Sequence, residues 1–227
     1  METTYNAAST APVAHPVDVS ITPQYARRNR LTCAFRPILA LPHLVLVGGP
    51  LALFVTWAGS HEGGAPEGSA AGGVLGAVAI VVAIIAWFAI VFTGVFPRGL
   101  WKLSAFYMRW RVSAIAYVAL LRDEYPPFGE GAYPVQLTVP PSTVLRNRVS
   151  VAFRLILVIP HVVVLWFVNV AWLATTIIAW FAILITGEYP RVLYDFAVGV
   201  LRWNSRVETY MLLLRDEYPP FTLEAST

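Results

Sequence analysis

The apolar residues of this chain gather in three long runs that carry almost no charge. Residues 31–58 contain Arg36 as their only charged residue, residues 149–187 contain only Arg154, and residues 76–94 contain none. A helix of about 20 apolar residues spans the hydrocarbon core of a bilayer, so the first two runs exceed that length and the third reaches it. The pattern predicts an integral membrane protein.

Composition supports this prediction. The chain is 57% apolar and 13% charged, whereas an average soluble domain is about 25% charged. A buried helical core in a soluble protein is the alternative, but it would need amphipathic helices to cover such long runs. The first 26 residues contain neither Lys nor Arg nor an apolar stretch, so they do not resemble a secretory signal.

The chain also repeats itself. Residues 120–128 read LLRDEYPPF, and the same nine residues return at 213–221. Residues 15–43 align with the chain at a shift of 118, after which the shift becomes 93 because the first copy carries 25 extra residues, including a Gly-rich polar stretch at 59–73. We therefore divide the chain into an N-terminal segment (1–14), copy one (15–128), a linker (129–132), copy two (133–221) and a C-terminal tail (222–227).

The distribution of cations predicts how the copies meet the membrane. Arginines cluster before and after the apolar runs, whereas the Gly-rich stretch has none, and short cationic loops stay on the cytoplasmic side. Each copy should then cross an even number of times as a helical hairpin, with both termini cytoplasmic. In copy one the two helices of the hairpin would be residues 31–58 and 74–94. In copy two both helices would have to fit within residues 149–186, with a turn near 167–170. A broken helix ending at Pro160, followed by one span, is the alternative.

A further apolar segment with regularly spaced charges follows each predicted hairpin, at 97–121 and 190–214. At 100° per residue the charges of each segment fall on one narrow stripe. The stripes are Arg98, Lys102, Arg109 and Ser113 in copy one, and Arg191, Asp195, Arg202 and Arg206 in copy two. This pattern is typical of an amphipathic helix in the membrane interface. A third spanning helix with its stripe towards a bundle interior is the alternative.

Shorter signals flank these helices. Residues 17–21 and 135–139 alternate between apolar and polar side chains, which predicts two strands. An isolated pair of strands is marginal in water, so it should lie on the interfacial helices or on a partner. The repeated nonapeptide should end each helix, because Pro126 and Pro219 forbid its continuation. Carboxylates of the two nonapeptides would form a metal or acid–base site only if the copies met.

Motifs for catalysis are missing from the sequence. It contains no phosphate-binding glycine loop, no Gly-x-Ser-x-Gly and no His-Glu-x-x-His, and its single cysteine, Cys33, excludes an internal disulfide. His43 and His161 stand at equivalent positions and form the one symmetric pair of ligand candidates, which leaves a haem as a remote alternative. We expect no cofactor and no nucleic-acid partner, since the cations flank apolar helices and no soluble module presents them.

Copy two carries a family resemblance. The residues RLILVIPH at 154–161, AWFAILITGEYPR at 179–191, LRW at 201–203 and YPPF at 218–221 resemble the bacterial membrane family catalogued as domain of unknown function 4389. Copy one departs through Gly99, Lys102 and its 25 extra residues. Similar proteins are mostly actinobacterial and have no characterised activity. The resemblance implies a membrane location and no catalytic residue.

Together these observations predict an all-α integral membrane protein of two tandem helical-hairpin repeats, each with a short preceding β-strand and a following amphipathic interfacial helix. We expect a non-enzymatic accessory or scaffold protein of the inner membrane, with anionic lipids and a membrane protein or second copy as partners. The alternative is a lipid or small-molecule binder or transporter with its site between the copies. The candidate contacts for lipid or partner are Arg36, Arg154, Arg98, Arg109, Arg191 and Arg202, with His43 and His161 as further candidates.

Overall fold

The structure is a computed structural model that describes residues 15–49, 73–142 and 146–225. The described chain is mainly helical, with one two-stranded sheet. Its elements are β1 (Asp18–Ile21), α1 (Arg30–Leu39), α2 (Leu41–Val47), α3 (Gly73–Thr93), α4 (Arg98–Val118), β2 (Val135–Thr138), α5 (Arg148–Ala152), α6 (Arg154–Thr186) and α7 (Arg191–Met211). Most of the Gly-rich stretch, and hence its predicted position outside the cell, lies beyond the described residues.

Two of these helices, α3 with 21 residues and α6 with 33, are long and apolar enough to cross a membrane. Helices α1 and α2 would count as a third candidate if the two, which meet at a bend of 41°, formed one span. Less than a third of the apolar segment of α3 and of α6 is buried inside the protein. The large apolar surface left exposed supports the membrane association predicted from the sequence.

The predicted hairpin of copy two is wrong. Residues 154–186 form one continuous helix, and Pro160 lies inside it without ending it. Asn169, at the expected turn, lies within α6, and its side-chain amide exchanges hydrogen bonds with Asn204 of α7 at 3.1 and 2.9 Å. Asn169 was expected to mark a turn, but its side chain is paired inside the protein, and α6 continues through this position as one helix.

Copy one does not double back either, because α3 continues where α2 ends. A Cβ atom on Gly73 would lie 2.6 Å from the backbone of Leu46 and Gly48. Helix α4 contacts His43 of α2 through Trp110 and Gly76 of α3 through Tyr107. Residues 36–47 and 73–93 together number 33, as many as α6. The described helices on either side of the 25 extra residues therefore follow one path.

We call residues 36–47 with 73–93 the first rod, and α6 the second rod. Each rod begins beside the end of the other: the backbone N–H of Arg28 donates to Gly187 at 3.0 Å, and that of Arg146 donates to Gly94 at 3.3 Å. The equivalent positions Gly94 and Gly187 have φ of 77° and 78°, a left-handed conformation that suits glycine. The rods therefore run in opposite directions.

Helices α4 and α7 form at the positions predicted for the amphipathic helices and make up the buried centre of the molecule. Almost every side chain from Trp110 to Tyr117, and from Ala197 to Tyr210, is buried. The rods pack against both helices, and the strands cover them elsewhere. The C-terminal half of each helix is thus enclosed by protein, whereas a helix lying in the membrane interface would leave one face open.

The two predicted strands form and pair with each other in antiparallel register, Asp18 opposite Thr138 and Ile21 opposite Val135. β1 packs on α7 and β2 on α4, with Val19, Val135 and Leu137 facing inward. The prediction that the strands lie on the two amphipathic helices is confirmed. Packing against helices supplies the apolar burial that an isolated pair of strands lacks.

Candidate functional site

Each nonapeptide is held by two arginines from the start of its own copy. In copy one, Asp123 Oδ1 lies 2.7 Å from Nη2 of Arg36 and 3.0 Å from Nη2 of Arg28. Both arginines are almost fully buried. We call Arg28, Arg36 and Asp123 the first arginine clamp. Because two guanidinium groups share one carboxylate, the clamp carries a net positive charge.

Copy two repeats the arrangement with Arg146, Arg154 and Asp216, the second arginine clamp. Asp216 lies 2.9 Å from Nε of Arg146 and 2.5 Å from Nη2 of Arg154. In both clamps the second arginine also stacks on a tyrosine: Arg36 lies 4.5 Å from the ring centre of Tyr117, and Arg154 lies 4.2 Å from that of Tyr210. The agreement between the copies shows that the clamp belongs to the repeated unit.

The clamps also explain where the helices end. Leu120 and Leu213 adopt φ of 63° and 62°, a left-handed conformation that breaks the helix six residues before the first proline of each nonapeptide. The carbonyl groups freed by this turn accept hydrogen bonds from the clamp, including one from Arg28 to Leu121 at 3.2 Å and one from Arg146 to Leu214 at 3.3 Å. The nonapeptide follows the helix end, as predicted, but the left-handed leucine ends the helix before the prolines.

A second ion pair lies beside each clamp within the nonapeptide. Arg122 holds the Glu124 carboxylate through two hydrogen bonds of 3.0 and 2.5 Å, and Arg215 holds Glu217 in the same way. Partial burial raises the pKa of Glu124, yet the hydrogen bonds from Arg122, a backbone hydrogen bond and the charges of Arg122 and Arg28 together outweigh it and lower the pKa of the carboxyl group. The carboxylates of the nonapeptide are thus engaged by arginines of their own copy.

No metal site is formed by these carboxylates. Among the described residues, no group of three or more His, Cys, Asp or Glu side chains lies close enough together to hold a metal ion. Asp123 and Glu124 bind arginines of copy one, and Asp216 and Glu217 bind arginines of copy two. The condition for the carboxylate site, that the two nonapeptides meet, is not fulfilled.

Two apolar grooves lie between the rods, one at each clamp. The first has a volume of about 310 Å³ and is lined in copy one by Arg36, Pro37, Ala40, Leu44, Val118 and Leu120, and in copy two by Thr176, Ile177 and Trp180. The second, of about 410 Å³, is lined by Arg154, Leu155, Met211, Leu212 and Leu213 of copy two and by Ile80, Ala83, Ile84 and Trp87 of copy one. Each groove is apolar, contains one clamp arginine and needs both copies.

Equivalent tryptophans line the two grooves. The indole N–H of Trp180 donates to the carbonyl of Cys33 at 3.0 Å, and that of Trp87 donates to the carbonyl of Val151 at 3.0 Å. Nε of Arg36 and Nε of Arg154 are buried and have no hydrogen-bond acceptor within the protein. Each groove therefore combines an apolar wall with one buried cationic side chain.

His43 and His161 do not face each other. Nδ1 of His43 accepts a hydrogen bond of 3.0 Å from Trp110, and its ring stacks on Phe128 with 4.5 Å between ring centres. His161 has the same surroundings in copy two, Trp203 at 3.2 Å and Phe221 at 3.9 Å. Each imidazole is enclosed by aromatic side chains of its own copy, an arrangement that fixes the end of the nonapeptide beside it.

The other predicted contact residues lie apart from the grooves. Arg98 is exposed at the start of α4. Arg109 forms an exposed ion pair of 2.6 Å with Glu130, and Arg191 lies 5.3 Å from the ring centre of Tyr25. Arg202 donates to the carbonyl of Val19 in β1 at 3.1 Å. Of the six predicted arginines, only Arg36 and Arg154 line a groove.

Sequence reasoning missed the buried ion pair that joins the copies. Nε and Nη2 of Arg111 in α4 lie 2.8 and 3.0 Å from the carboxylate of Glu208 in α7, and Arg111 also donates to the carbonyl of Val47 at 2.6 Å. Glu208 stands where copy one has Ile115. The sequence did contain a signal for this pair. A carboxylate in one copy at a position that is apolar in the other indicates a contact that the two copies do not share.

Comparison with known proteins places the chain in a family. A family model described as "Domain of unknown function (DUF4389)" matches residues 69–129 and 148–222. These two segments correspond to the latter part of copy one and to most of copy two, as expected of a tandem member. Searches of curated proteins and of solved structures gave no match. The chain belongs to the DUF4389 family and contains that domain twice.

Proposed function

We propose that this chain is a non-enzymatic accessory protein of the bacterial inner membrane that binds anionic lipids, or a similar amphiphile with an acidic head, in its two grooves. The observation that carries this proposal is the pairing of an apolar groove with a net positive clamp, which occurs twice at equivalent places. An acyl chain would occupy the groove, and the acidic head would lie beside the net positive clamp, whose charge attracts it.

Several features support a binding role without catalysis. The polar groups near the grooves are arginines and backbone carbonyls, which position an anion but do not exchange protons near neutral pH. The described part of the chain has no nucleophile paired with a base in either groove. An acyl chain in the bilayer is already surrounded by hydrocarbon, so the groove would select a lipid by the packing of its chain and the charge of its head.

The second candidate function, a scaffold for another membrane protein, is favoured by the exposed apolar surface of the rods. Phe88, Phe92, Phe167 and Phe181 are each more than half exposed on that surface. Aromatic side chains on an apolar helix are suited to packing against other transmembrane helices. Cross-linking in native membranes, followed by purification in mild detergent, distinguishes a partner complex from a chain surrounded by lipid.

The experiment that tests lipid binding fills the grooves and leaves the clamps intact. In Ala83→Trp and Thr176→Trp an indole replaces a small side chain at equivalent positions of the two grooves. Native mass spectrometry of each variant should show one lipid fewer than the unmodified chain, and the double variant should show none. Ala171→Trp, at an exposed position outside both grooves, is the matched control and should retain both lipids. Unchanged lipid content in the double variant would contradict the proposal.

A further inference from the structure

The strands and the rods lie on different sides of the central helices. On α7, Arg202 and Arg206 are one turn apart and donate to Val19 and Val17 of the first strand region. Trp203 and Asn204 point elsewhere, to His161 and Asn169 of the second rod. The molecule therefore has layers: strands, then α4 with α7, then the rods.

The outer surfaces of these layers differ in polarity. The strands turn Ser20, Gln136 and Thr138 outward, and all three are exposed. The rods turn outward almost only apolar side chains, such as Ile38, Val78, Phe92, Phe167 and Ile185, which are between 41% and 73% exposed. One outer surface is suited to water and the opposite one to hydrocarbon.

The relation between the copies places the strand pair over the middle of the rods. The residues equivalent to Asp18 and Thr138 in the other copy are Gln136 and Ser20, at a shift of 118 residues. Gln136 and Ser20 are also paired in the sheet. The two copies are thus related by an approximate twofold axis through the strand pair. The same axis relates the antiparallel rods, so the strands lie level with the midpoints of the rods.

Rods that crossed a bilayer would therefore bring the strands to its middle. A pair of strands with polar side chains and unpaired outer edges has no stable place at that depth, because lipid offers no hydrogen-bond partners. The length of the rods also argues against a membrane crossing. Each rod has 33 residues and is about 50 Å long, whereas the hydrocarbon core is about 30 Å thick and helices rarely tilt by more than about 40°.

The exposed arginines of the rod ends complete the argument. Arg27, Arg30 and Arg191 lie at one end of the rod pair, near Gly187, and Arg98 and Arg148 lie at the other end, near Gly94. Crossing rods would place these two clusters on opposite sides of the membrane. Rods lying in the membrane plane would place all five at the headgroups of one leaflet, where anionic lipids attract them.

We infer that the two rods lie flat within the cytoplasmic leaflet, with their outer surface against lipid acyl chains and the strand pair facing the cytoplasm. The approximate twofold axis then runs along the membrane normal, so both nonapeptides lie at the same depth. This arrangement keeps every arginine cluster on the cytoplasmic side without any membrane crossing by the rods. The partner of the apolar surface is the lipid of one leaflet.

Labelling of single cysteines decides between flat and crossing rods. Gly99 and Val192 are exposed, equivalent positions at opposite ends of the rod pair; Gly99→Cys and Val192→Cys are made in a Cys33→Ala background. A membrane-impermeant maleimide should label both cysteines in inside-out vesicles and neither in right-side-out vesicles. Labelling of the two cysteines from opposite sides would overturn the inference.

Depth measurements test whether lipid covers the rods. Nitroxide labels at Ile38, Val78 and Phe92, which are exposed near the start, middle and end of the first rod, are compared by collision with oxygen and with a water-soluble nickel complex. Flat rods give all three labels a similar depth; crossing rods make Val78 much deeper than the other two. Shielding of Val78 from both reagents would show a second copy or another protein on this surface and would also overturn the inference.

Discussion

Arg111 of copy one and Glu208 of copy two form a bidentate ion pair in the centre of the protein, with N–O distances of 2.8 and 3.0 Å and almost no exposure of either side chain. Glu208→Gln leaves the Arg111 charge buried without its partner and should cost about 3–5 kcal/mol of unfolding free energy. Replacement of both residues by Met should cost less than Glu208→Gln. Denaturant unfolding in detergent measures the difference.

The exposed ion pair between Arg109 and Glu130 provides the matched control. Its side chains are 40% and 51% exposed, so Glu130→Gln should change the unfolding free energy by no more than about 1 kcal/mol. A similar cost for Glu208→Gln and Glu130→Gln would show that the central pair does not hold the copies together.

The two arginine clamps should contribute equally to stability. Asp123→Asn and Asp216→Asn each leave two buried guanidinium groups without a carboxylate, and each should cost about 3 kcal/mol. Glu124→Gln removes a carboxylate from the same nonapeptide, but that side chain is half exposed and its loss should cost much less. Thermal unfolding of the four proteins in one detergent checks this. A large effect in one copy only would contradict the equivalence of the clamps.

The left-handed glycines at the rod ends should not tolerate a side chain. In Gly187→Ala a Cβ is added at φ 78°, 3.4 Å from Nε of Arg30, and should cost about 1–2 kcal/mol. Gly99→Ala, within α4 and with no atom near the added Cβ, should leave stability unchanged or raise it by up to about 1 kcal/mol. Equal midpoints of thermal unfolding for these two variants would contradict the conformational explanation.

The enclosed histidines predict a colourless protein. His43 and His161 are each covered by a stacked phenylalanine of their own copy, so protein purified from cells supplied with haem should show no Soret band. A Soret band that disappears in His43→Ala would establish the remote haem alternative and contradict our account of these side chains.

His15 should make stability depend on pH. Burial lowers the pKa of His15 below the ordinary value of 6.5, because it disfavours the charged imidazolium in the folded protein. Its contribution is complete above the unfolded pKa and is lost as the pH falls towards the folded pKa. His15→Asn keeps an acceptor for the Val17 N–H, which His15 Nδ1 binds at 3.2 Å, and should flatten the decline in unfolding midpoint below about pH 6.5. An unchanged pH profile would contradict this assignment.

Local patterns in the sequence predicted most of the elements. The apolar runs predicted helices, although the run at 149–186 was expected to form two short helices instead of the single helix α6. Alternation predicted both strands, and the charge stripes placed α4 and α7 to within a few residues. These signals are local because helix and strand periods are properties of neighbouring residues. The strand pair on the amphipathic helices was also predicted, since the duplication supplies two strands that are marginal alone.

The candidate site was only partly visible in the sequence. Arg36 and Arg154 were predicted as contacts, and both line the grooves. Their carboxylate partners, Asp123 and Asp216, were considered for a metal or acid–base site and not as partners of these arginines. The partner of a buried arginine is far away in the sequence, 87 residues for Arg36. Helix and strand periods relate only neighbouring residues and cannot predict such a contact.

The sequence by itself determined the duplication, the helices and strands, and the apolar character that requires a membrane. Only the tertiary structure decided that α3 continues the path of α2, that α6 does not turn at Asn169, and that the rods run in opposite directions. Such decisions depend on which polar groups find partners inside the protein. Asn169 pairs with Asn204 and Arg111 with Glu208, and these long-range contacts, formed once the helices pack, fix a direction that hydrophobic patterning leaves open.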